Sequence, residues 1–272
     1  MHTLAEKYLR TENMPFLFCP GCGNGTLINI VVRAIDELGI KDDVAMIGGV
    51  GCSSWIATYF RTDCFKALHG RTLPTAIGLK MARPDKKLIV FVGDGDGVGI
   101  GGNHFMHAAR KNIDLTVIML NNNIYGMTGG QVAPTTPQGA KTATSPYCKI
   151  EQPIDPCKIA EAAGATYVSR WTAAQPIQLK NAVKEAIAHP GFAFVEMVCA
   201  CPTQAGLYLH KDREGVSTFN YIKDHCLPVS KANGLSEEEL ESKIVVGNFV
   251  KKIRPEYCQQ LEMQLAALKK ED

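Results

Sequence analysis

The sequence has little excess of either charge. Twenty-nine Lys and Arg stand against 27 Asp and Glu, which leaves a formal net charge of +2 on 272 residues. Proteins that bind nucleic acids or anionic membrane surfaces usually present a strong excess of Lys and Arg. The balance therefore argues against both kinds of partner. Internal repeats and low-complexity segments are absent as well, which argues against a repeat or linker protein.

Long apolar runs and an export signal are also missing. The longest apolar runs, such as 88–92 and 115–120, are far shorter than the roughly 18 residues of a membrane span. Charged residues between positions 6 and 12 interrupt the N-terminal segment, so we expect no secretory signal. We therefore expect a cytoplasmic protein whose ten cysteines bind metal, react or lie buried rather than pair in disulfides.

Short apolar segments alternate with segments of helical periodicity through most of the chain. The apolar segments, rich in Val, Ile, Leu and Phe, are 44–48, 88–92, 115–120 and 192–198. The segments with helical spacing are 26–38, 72–81, 103–111, 156–163 and 177–188. This alternation predicts an α/β fold in which a mostly parallel sheet carries helices on both faces.

The carboxyl ends of the predicted strands carry the most unusual segments of the sequence. These segments are GVGCSS, GDGDGVGIGG, NNNIYG and CACPT. In parallel α/β sheets, ligands bind outside the carboxyl ends of the strands. We therefore expect the four segments to meet at one edge of the sheet and to form the functional site.

The pattern changes at about residue 209. From there the chain is rich in Lys and Glu and lacks strong strand signals, with helices indicated near 237–243 and 259–269. We therefore divide the chain into an α/β domain, residues 1–208, and a C-terminal arm, residues 209–272. The arm is interpreted as packing on the domain or on a partner, and a solvated tail is the alternative.

The glycine-rich segment after the second predicted strand fits a nucleotide or a diphosphate. Gly97, Gly99 and Gly102 match GxGxxG between a strand and a helix, which by itself suggests a dinucleotide site. However, the next strand ends in three asparagines instead of the acidic residue that would hold a ribose. Asp94 and Asp96 would also repel a diphosphate unless a cation lay between them.

A magnesium ion removes this conflict, because Mg²⁺ binds carboxylate and amide oxygens together with phosphates. Asp94 and Asn122 follow successive strands, so the fold would place them side by side. GDG followed by NN also resembles the diphosphate-binding motif of thiamine diphosphate enzymes. The resemblance implies Asp94, Asn122 and the backbone carbonyl of Ile124 as Mg²⁺ ligands, with the backbone of Gly95 and Asp96 near the diphosphate.

Several cysteines are spaced as metal ligands. Cys19 and Cys22 form the turn CPGCG, and Cys52 lies in a glycine-rich strand exit. Two adjacent thiolates with remote ones are typical of a zinc or iron–sulfur site, and Cys199 and Cys201 are candidates for the fourth ligand. A redox dithiol is less favoured, because this CxxC precedes the first strand instead of opening a helix after one.

The cysteines and the thiamine motif together resemble the β subunit of the 2-oxoacid:ferredoxin oxidoreductases. The motifs CPGCG, GVGCSSW, HGRTLPTAIGLKMA, the GDG-to-GGQ segment and CPT follow in family order over residues 16–202. The resemblance implies a thiamine diphosphate-binding fold with one [4Fe-4S] cluster, held by Cys19, Cys22, Cys52 and Cys201. It implies that Val50, Gly51, Cys52, Ser53, His69, Gly70, Arg71, Thr72, Gly126 and Met127 contact the thiamine cofactor. His69 and Arg71 are the implied catalytic residues.

The resemblance also implies the reaction. A 2-oxo acid would be oxidatively decarboxylated to an acyl-CoA and CO₂, with electrons passing through the cluster to ferredoxin. NHFMHAARKN and the chain length resemble the 2-oxoglutarate branch, whereas branched-chain, aryl and pyruvate substrates are the competitors. A zinc-stapled nucleotide-binding module without catalysis and a non-oxidative thiamine decarboxylase remain as alternatives from other classes.

A second polypeptide is expected to complete the site. Thiamine enzymes need a carboxylate side chain that is hydrogen-bonded to the aminopyrimidine ring of the cofactor. In this superfamily that side chain comes from a second α/β domain. The arm lacks the alternation of strands and helices needed to build that domain. The resemblance therefore implies an α subunit that binds the pyrimidine, and further small iron–sulfur subunits where a longer electron relay is required.

Overall fold

The computed structural model describes residues 3–268. Residues 1 and 2 of the predicted α/β domain and residues 269–272 of the predicted C-terminal arm, including the last residue of the helix predicted near 259–269, lie outside the described residues. The strands are β1 Val44–Gly48, β2 Asp63–Lys66, β3 Lys87–Gly93, β4 Leu115–Asn121, β5 Ile124–Tyr125, β6 Gln131–Val132, β7 Tyr167–Thr172, β8 Phe192–Val198, β9 Cys226–Pro228 and β10 Ile244–Lys251. The helices are α1 Leu4–Tyr8, α2 Gly23–Leu38, α3 Thr72–Ala82, α4 Gly102–Lys111, α5 Pro156–Ala162, α6 Pro176–Ala188, α7 Gly215–His225, α8 Val229–Ala232, α9 Glu237–Leu240 and α10 Tyr257–Leu268.

Eight strands form one sheet in the order β2-β1-β3-β4-β8-β7-β10-β9, and β5 and β6 form a small separate hairpin. Pairs from β2 to β7 run parallel, and β10 runs antiparallel to β7. Every residue of β4 and β8 is buried, as expected for apolar strands covered on both faces. The predicted α/β fold with a mostly parallel sheet is confirmed.

Two apolar clusters fill the spaces between the sheet and its helices. One cluster joins residues of α2 and α6 to the sheet, and the other joins residues of α3, α4 and α5 to it. Helices therefore lie on both faces, which leaves the carboxyl ends of the central strands open to a ligand. No helix in residues 3–268 combines the length and the apolar character needed to cross a bilayer.

The segment after residue 208 continues the sheet. Its strand β10 pairs with β7, with Gly247 opposite Arg170, and β9 pairs with the outer side of β10. The sequence shows no strong strand signal in this segment, which nevertheless contributes two strands to the sheet. Gly247 interrupts the apolar run at a φ of 144°, and only Val246, Gly247 and Val250 are buried, while the other five residues of β10 are partly or fully exposed. Such a pattern gives only a weak strand signal in the sequence.

Candidate active site

The carboxyl ends of β1, β3, β4 and β8 surround one cavity. Its lining includes Cys22, the turn 50–53 after β1, the turn 93–96 after β3, and residues 122 and 124–128 after β4. His69 and Cys199 complete the wall on two further sides. The four unusual strand exits therefore meet at one edge of the sheet, as a parallel fold requires.

Asp94 is a buried carboxylate at this edge. It follows β3, opens the π-helical turn Gly95–Ile100, and is only 3 % exposed. Burial raises the pKa of Asp94 to about 7, although the Thr135 hydroxyl, which donates to its Oδ2 at 2.5 Å, partly opposes the rise. A carboxylate held away from water in this way favours either a proton or a bound cation.

The three asparagines at the end of β4 have different roles. The Asn121 side-chain amide donates to Glu196 at 2.7 Å, and its carbonyl accepts the backbone N–H of Asn123 at 3.0 Å. Asn123 adopts a positive φ of 61°, which turns the chain back. Asn122 lines the cavity, and its Oδ1 accepts the backbone N–H of Ile124 at 3.2 Å. Asp94 and Asn122 therefore line the same cavity, as predicted for a pair of ligands.

Asp96 anchors the HGRT turn through its side chain. Its Oδ1 is 2.5 Å from Nδ1 of His69 and accepts the backbone N–H of Gly70 at 2.8 Å, while its Oδ2 accepts the Thr72 hydroxyl at 3.2 Å. A Cβ on Gly49 would lie 1.9 Å from Oδ2, so glycine is required there. The sequence suggested only a backbone role for Asp96. The one sequence signal for this role is the HGRT turn, which offers three hydrogen-bond donors that a buried carboxylate can accept.

His69 and Arg71 occupy different positions. The His69 side chain is 34 % exposed, lines the cavity and packs edge-on against the Tyr125 ring at 6.2 Å between centroids. Arg71 lies outside the cavity lining, and its guanidinium is 2.7 Å from Nε2 of His104 on α4. Burial lowers the pKa of His104 and the charge of Arg71 lowers it further, so the neutral imidazole accepts the hydrogen bond.

The four predicted cluster cysteines come together beside the cavity. Burial raises the pKa of the Cys22 thiol to about 12, and Cys201, Cys52 and Cys19 add to the rise because each would place negative charge nearby. Cys201 Sγ lies 3.2 Å from the position that a Cβ on Gly126 would occupy. Although all four belong to the described residues, no three of their sulfurs lie mutually within 4.8 Å. The thiols thus form a loose group.

A fifth thiol, Cys199, lies deeper than the others. Its side chain is buried against the start of α2, where a Cβ on Gly23 would lie 2.4 Å from its own Cβ. Burial raises the pKa of Cys199 well above its ordinary value, and Cys22 and Cys201 add to the rise. Both CACPT cysteines are therefore close to the group, and Cys199 is the less accessible of the two.

Known proteins resemble this chain over nearly its whole length. The family described as thiamine pyrophosphate enzyme, C-terminal TPP binding domain, matches residues 49–197, which is more than half of the chain. The 2-oxoglutarate synthase subunit KorB of Methanocaldococcus jannaschii is 50 % identical over 268 residues, or 98 % of this chain and 99 % of the relative. The chain belongs to the family of β subunits of the 2-oxoacid:ferredoxin oxidoreductases.

Two further relatives agree with this membership. The β subunit of 2-oxoacid:ferredoxin oxidoreductase 2 of Aeropyrum pernix is 42 % identical over 195 residues, covering 71 % of this chain and 63 % of the relative. The solved structure of 2-oxoglutarate:ferredoxin oxidoreductase from Magnetococcus marinus, with 2-oxoglutarate, coenzyme A and succinyl-CoA bound, shares 34 % identity and a TM-score of 0.86. That match covers 97 % of this chain and 90 % of the solved chain. The predicted family is confirmed, and the nucleotide-binding module is set aside.

A buried charge network, not predicted from the sequence, supports the site of this β subunit. Glu196 on β8 is 1 % exposed and lies opposite Arg170 on β7, whose Nε donates to it at 2.6 Å. The Cys157 thiol also donates to Glu196, at 3.2 Å, and Nη2 of Arg170 donates to Asp155 at 2.5 Å. Asp155, Cys157 and Glu196 are close enough to ligate an ion, but Arg170 already supplies the cation. The sequence signal was the single charge, Glu196, in the apolar segment 192–198, whereas β7, which carries Arg170, is not an apolar run and was not predicted as a strand.

Proposed function

We propose that this β subunit binds thiamine diphosphate, Mg²⁺ and a [4Fe-4S] cluster, and oxidatively decarboxylates 2-oxoglutarate to succinyl-CoA with a partner α subunit. The observation that carries the proposal is the single cavity in which Asp94 and Asn122 lie beside the group of thiols. One site thus offers oxygen ligands for a metal–diphosphate and sulfur ligands for an electron carrier.

The cavity side chains fit a magnesium diphosphate. Ser53 Oγ is buried without a hydrogen-bond partner in the described chain, lines the cavity and lies 3.5 Å from the Cβ position of Gly93. An unpaired buried hydroxyl costs free energy, and a phosphate oxygen would satisfy it. Asp94, Asn122 and the Ile124 carbonyl would hold Mg²⁺, whose charge would keep Asp94 ionised.

The remaining predicted contacts would hold the thiamine cofactor around this ion. The backbone of Gly95 and Asp96 would face the diphosphate, and the turns 50–53, 69–72 and 126–127 would contact the rest of the cofactor. When bound, thiamine diphosphate supplies the nucleophile for the keto carbon and the electron sink for the loss of CO₂. The protein's part is to fix the cofactor and to exclude water from it.

The thiol group fits a cluster better than a single zinc ion. Four sulfurs bound to one Zn²⁺ at about 2.3 Å would lie roughly 3.8 Å apart. Here no three of the four described sulfurs lie within 4.8 Å of one another. A [4Fe-4S] cluster binds each thiolate at a separate iron and needs the wider spacing. We assign Cys201 as the fourth ligand, because Cys199 is packed beneath α2.

His69 would act on the substrate in the orientation that Asp96 imposes. Because Nδ1 of His69 is 2.5 Å from the Asp96 carboxylate, the proton sits on Nδ1 and Nε2 is left for the substrate. Such a pair orients the ring and stabilises it when it is protonated. Arg71, paired with His104, would attract the anionic 2-oxo acid toward the cavity.

The partners follow from the family and from the reaction. The α subunit would supply the carboxylate for the aminopyrimidine ring, CoA would accept the acyl group, and ferredoxin would accept electrons, directly or through further iron–sulfur subunits. All ten cysteines lie in the described part of the chain and are free thiols, which suits the reducing cytoplasm where we place the enzyme.

A substrate panel tests the choice of 2-oxo acid. The complex of this chain with its α subunit is assayed anaerobically with CoA and a viologen acceptor, using 2-oxoglutarate, pyruvate, 2-oxoisovalerate and an aryl pyruvate. We expect the highest kcat/KM with 2-oxoglutarate. A higher value with any of the other three would move this chain to another branch of the family while leaving the cofactor assignment intact.

A further inference from the structure

Two side chains donate hydrogen bonds to the sulfurs of proposed cluster ligands. The Thr203 hydroxyl donates to Sγ of Cys19 at 3.1 Å, and Nδ2 of Asn24 donates to Sγ of Cys22 at 3.2 Å. Thr203 follows β8 in the CPT turn, whereas Asn24 is the second residue of α2. Two separate elements therefore each present one donor to the thiol group.

We propose that Asn24 and Thr203 set the reduction potential of the cluster that we assign to this thiol group. The proposal rests on the proposed function, because it requires the cluster to be present. A hydrogen bond to a thiolate ligand withdraws negative charge from the iron–sulfur core. The reduced cluster carries one more negative charge than the oxidised cluster, so it gains more from the bond. Both donors therefore raise the potential.

The two donors lie in different surroundings. Cys22 and Asn24 line the cavity that would hold the thiamine cofactor, whereas Cys19 and Thr203 are exposed. Asn24 therefore faces the side on which electrons arrive, and Thr203 faces the solvent. Asn24 is 3 % exposed, and a hydrogen bond in such a low-dielectric place is worth more than one that competes with water. The Asn24 bond has the larger effect on the potential.

The test is a redox titration of the α–β complex followed by electron paramagnetic resonance without substrate. The variants are Thr203→Val and Asn24→Leu, which remove the donors at nearly constant shape, and Thr203→Ser, which keeps the hydroxyl. Iron and acid-labile sulfide are determined in each preparation to show that the cluster is intact. A potential reports the electronic state of the cluster, which a purely structural role would leave unchanged.

We expect the potentials of Thr203→Val and Asn24→Leu to be more negative than that of the wild type. At the potential where the wild-type cluster is half reduced, the ratio of oxidised to reduced cluster should rise about 2- to 10-fold. This change corresponds to the net free-energy contribution of one hydrogen bond. The rise should be larger for Asn24→Leu, and Thr203→Ser should match the wild type. If Asn24→Leu fails to assemble a cluster, the exposed Thr203→Val decides alone.

Two results would overturn different claims. A fully assembled Thr203→Val cluster that titrates at the wild-type potential would contradict the role of the hydrogen bonds. Wild-type complex that contains zinc, or no acid-labile sulfide, would instead contradict the proposed cluster, and this inference would fall with it. Metal and sulfide analysis of the wild type therefore separates the two failures before any variant is titrated.

Discussion

Under the proposed function, Asp94 is the residue on which binding of thiamine diphosphate depends most. A carboxylate so close to a diphosphate is repulsive unless Mg²⁺ lies between them, so Asp94→Ala should abolish retention of thiamine diphosphate. The fold and the iron–sulfur absorption should remain, because the thiols lie on other elements. Thiamine content after desalting measures the effect, with Thr144→Ala, a change in a loop outside the cavity lining, as the control. Full cofactor occupancy in Asp94→Ala would refute the assignment.

The two cysteines of CACPT give opposite expectations. Cys201 borders Gly126, whereas Cys199, although it lines the cavity, is buried against the start of α2. Cys201→Ser should therefore lose the [4Fe-4S] signal in electron paramagnetic resonance of the reduced protein, and Cys199→Ser should retain it. Each variant replaces one sulfur atom with oxygen, so each variant serves as the control for the other. Loss of the signal only in Cys199→Ser would show that the ligand assignment is wrong.

At this scale the sequence shows residues whose function follows from their place at a strand end. Asp94, Asn122, Cys52 and the two CACPT cysteines stand in motifs after apolar runs, so their convergence could be predicted, whereas Cys19 and Cys22 precede the first strand and were placed by the resemblance. The side-chain role of Asp96 could not, because its partner His69 lies 27 positions away and meets it only when the HGRT turn packs against the turn after β3. Contacts between turns depend on how loops pack, and periodicity does not report that.

At the level of the strands, the pair of Arg170 and Glu196 holds the asparagine turn in place. Glu196 binds both Arg170 and Asn121, so it connects β7 to the turn that carries Asn122. Arg170→Met would leave Glu196 buried without its cation, a change that usually costs about 3–5 kcal/mol of stability. We also expect weaker binding of thiamine diphosphate, because Asn121 loses its fixed partner.

Denaturant unfolding and thiamine titration measure these two effects. Lys184→Met is the matched control, because Lys184 forms an ion pair with Glu37 on the surface and its loss should change stability by less than about 1 kcal/mol. Arg170→Met with wild-type stability and wild-type thiamine affinity would show that the network does not support the site. The network itself could not be predicted, because it depends on β7 and β8 being neighbours in the sheet.

The end of α6 carries a pH-sensitive group outside the lining of the cavity. His189 caps the helix, is buried, and its Nε2 bonds the Thr166 hydroxyl at 2.8 Å. Burial lowers the pKa of His189 below its ordinary 6.5, so the unfolded chain binds a proton more readily than the folded chain. The contribution of a neutral His189 is therefore full above pH 6.5 and is lost as the pH falls below it.

Thermal unfolding between pH 7.5 and 5.5, compared for the wild type and His189→Gln, tests this sign. The wild type should lose stability toward the acid end, and the glutamine variant, which has no titrating group there, should lose less. Equal pH dependence of the two proteins would show that His189 makes no such contribution.

At the scale of the whole molecule, the division of the chain at residue 208 stays a prediction. The segment beyond it adds β9 and β10 to the main sheet, and α9 and α10 lie near the two helices that the sequence indicated. The parallel core was predictable because its strands are uninterrupted apolar runs. The outer strands were not, because β10 is half-exposed and broken by Gly247, and β9 has three residues.

The arrangement of the whole molecule also bears on the proposed partner. The described chain forms a single main α/β sheet, and the cavity at its edge presents Asp94, which we propose as a metal ligand, and Asp96, which holds the HGRT turn. The proposed chemistry needs a further carboxylate side chain, hydrogen-bonded to the aminopyrimidine ring. That side chain would come from a second α/β domain, which the described chain does not form. Under the proposed function, the active site is then completed only at the contact with the α subunit.

Reconstitution of the isolated chain tests this account most directly. The chain is loaded anaerobically with Mg²⁺, thiamine diphosphate, iron and sulfide, and CoA-dependent viologen reduction by 2-oxoglutarate is measured before and after addition of the α subunit. We predict no turnover by the loaded chain alone and turnover once the α subunit is added. Robust CoA-dependent turnover by the isolated chain would contradict the account.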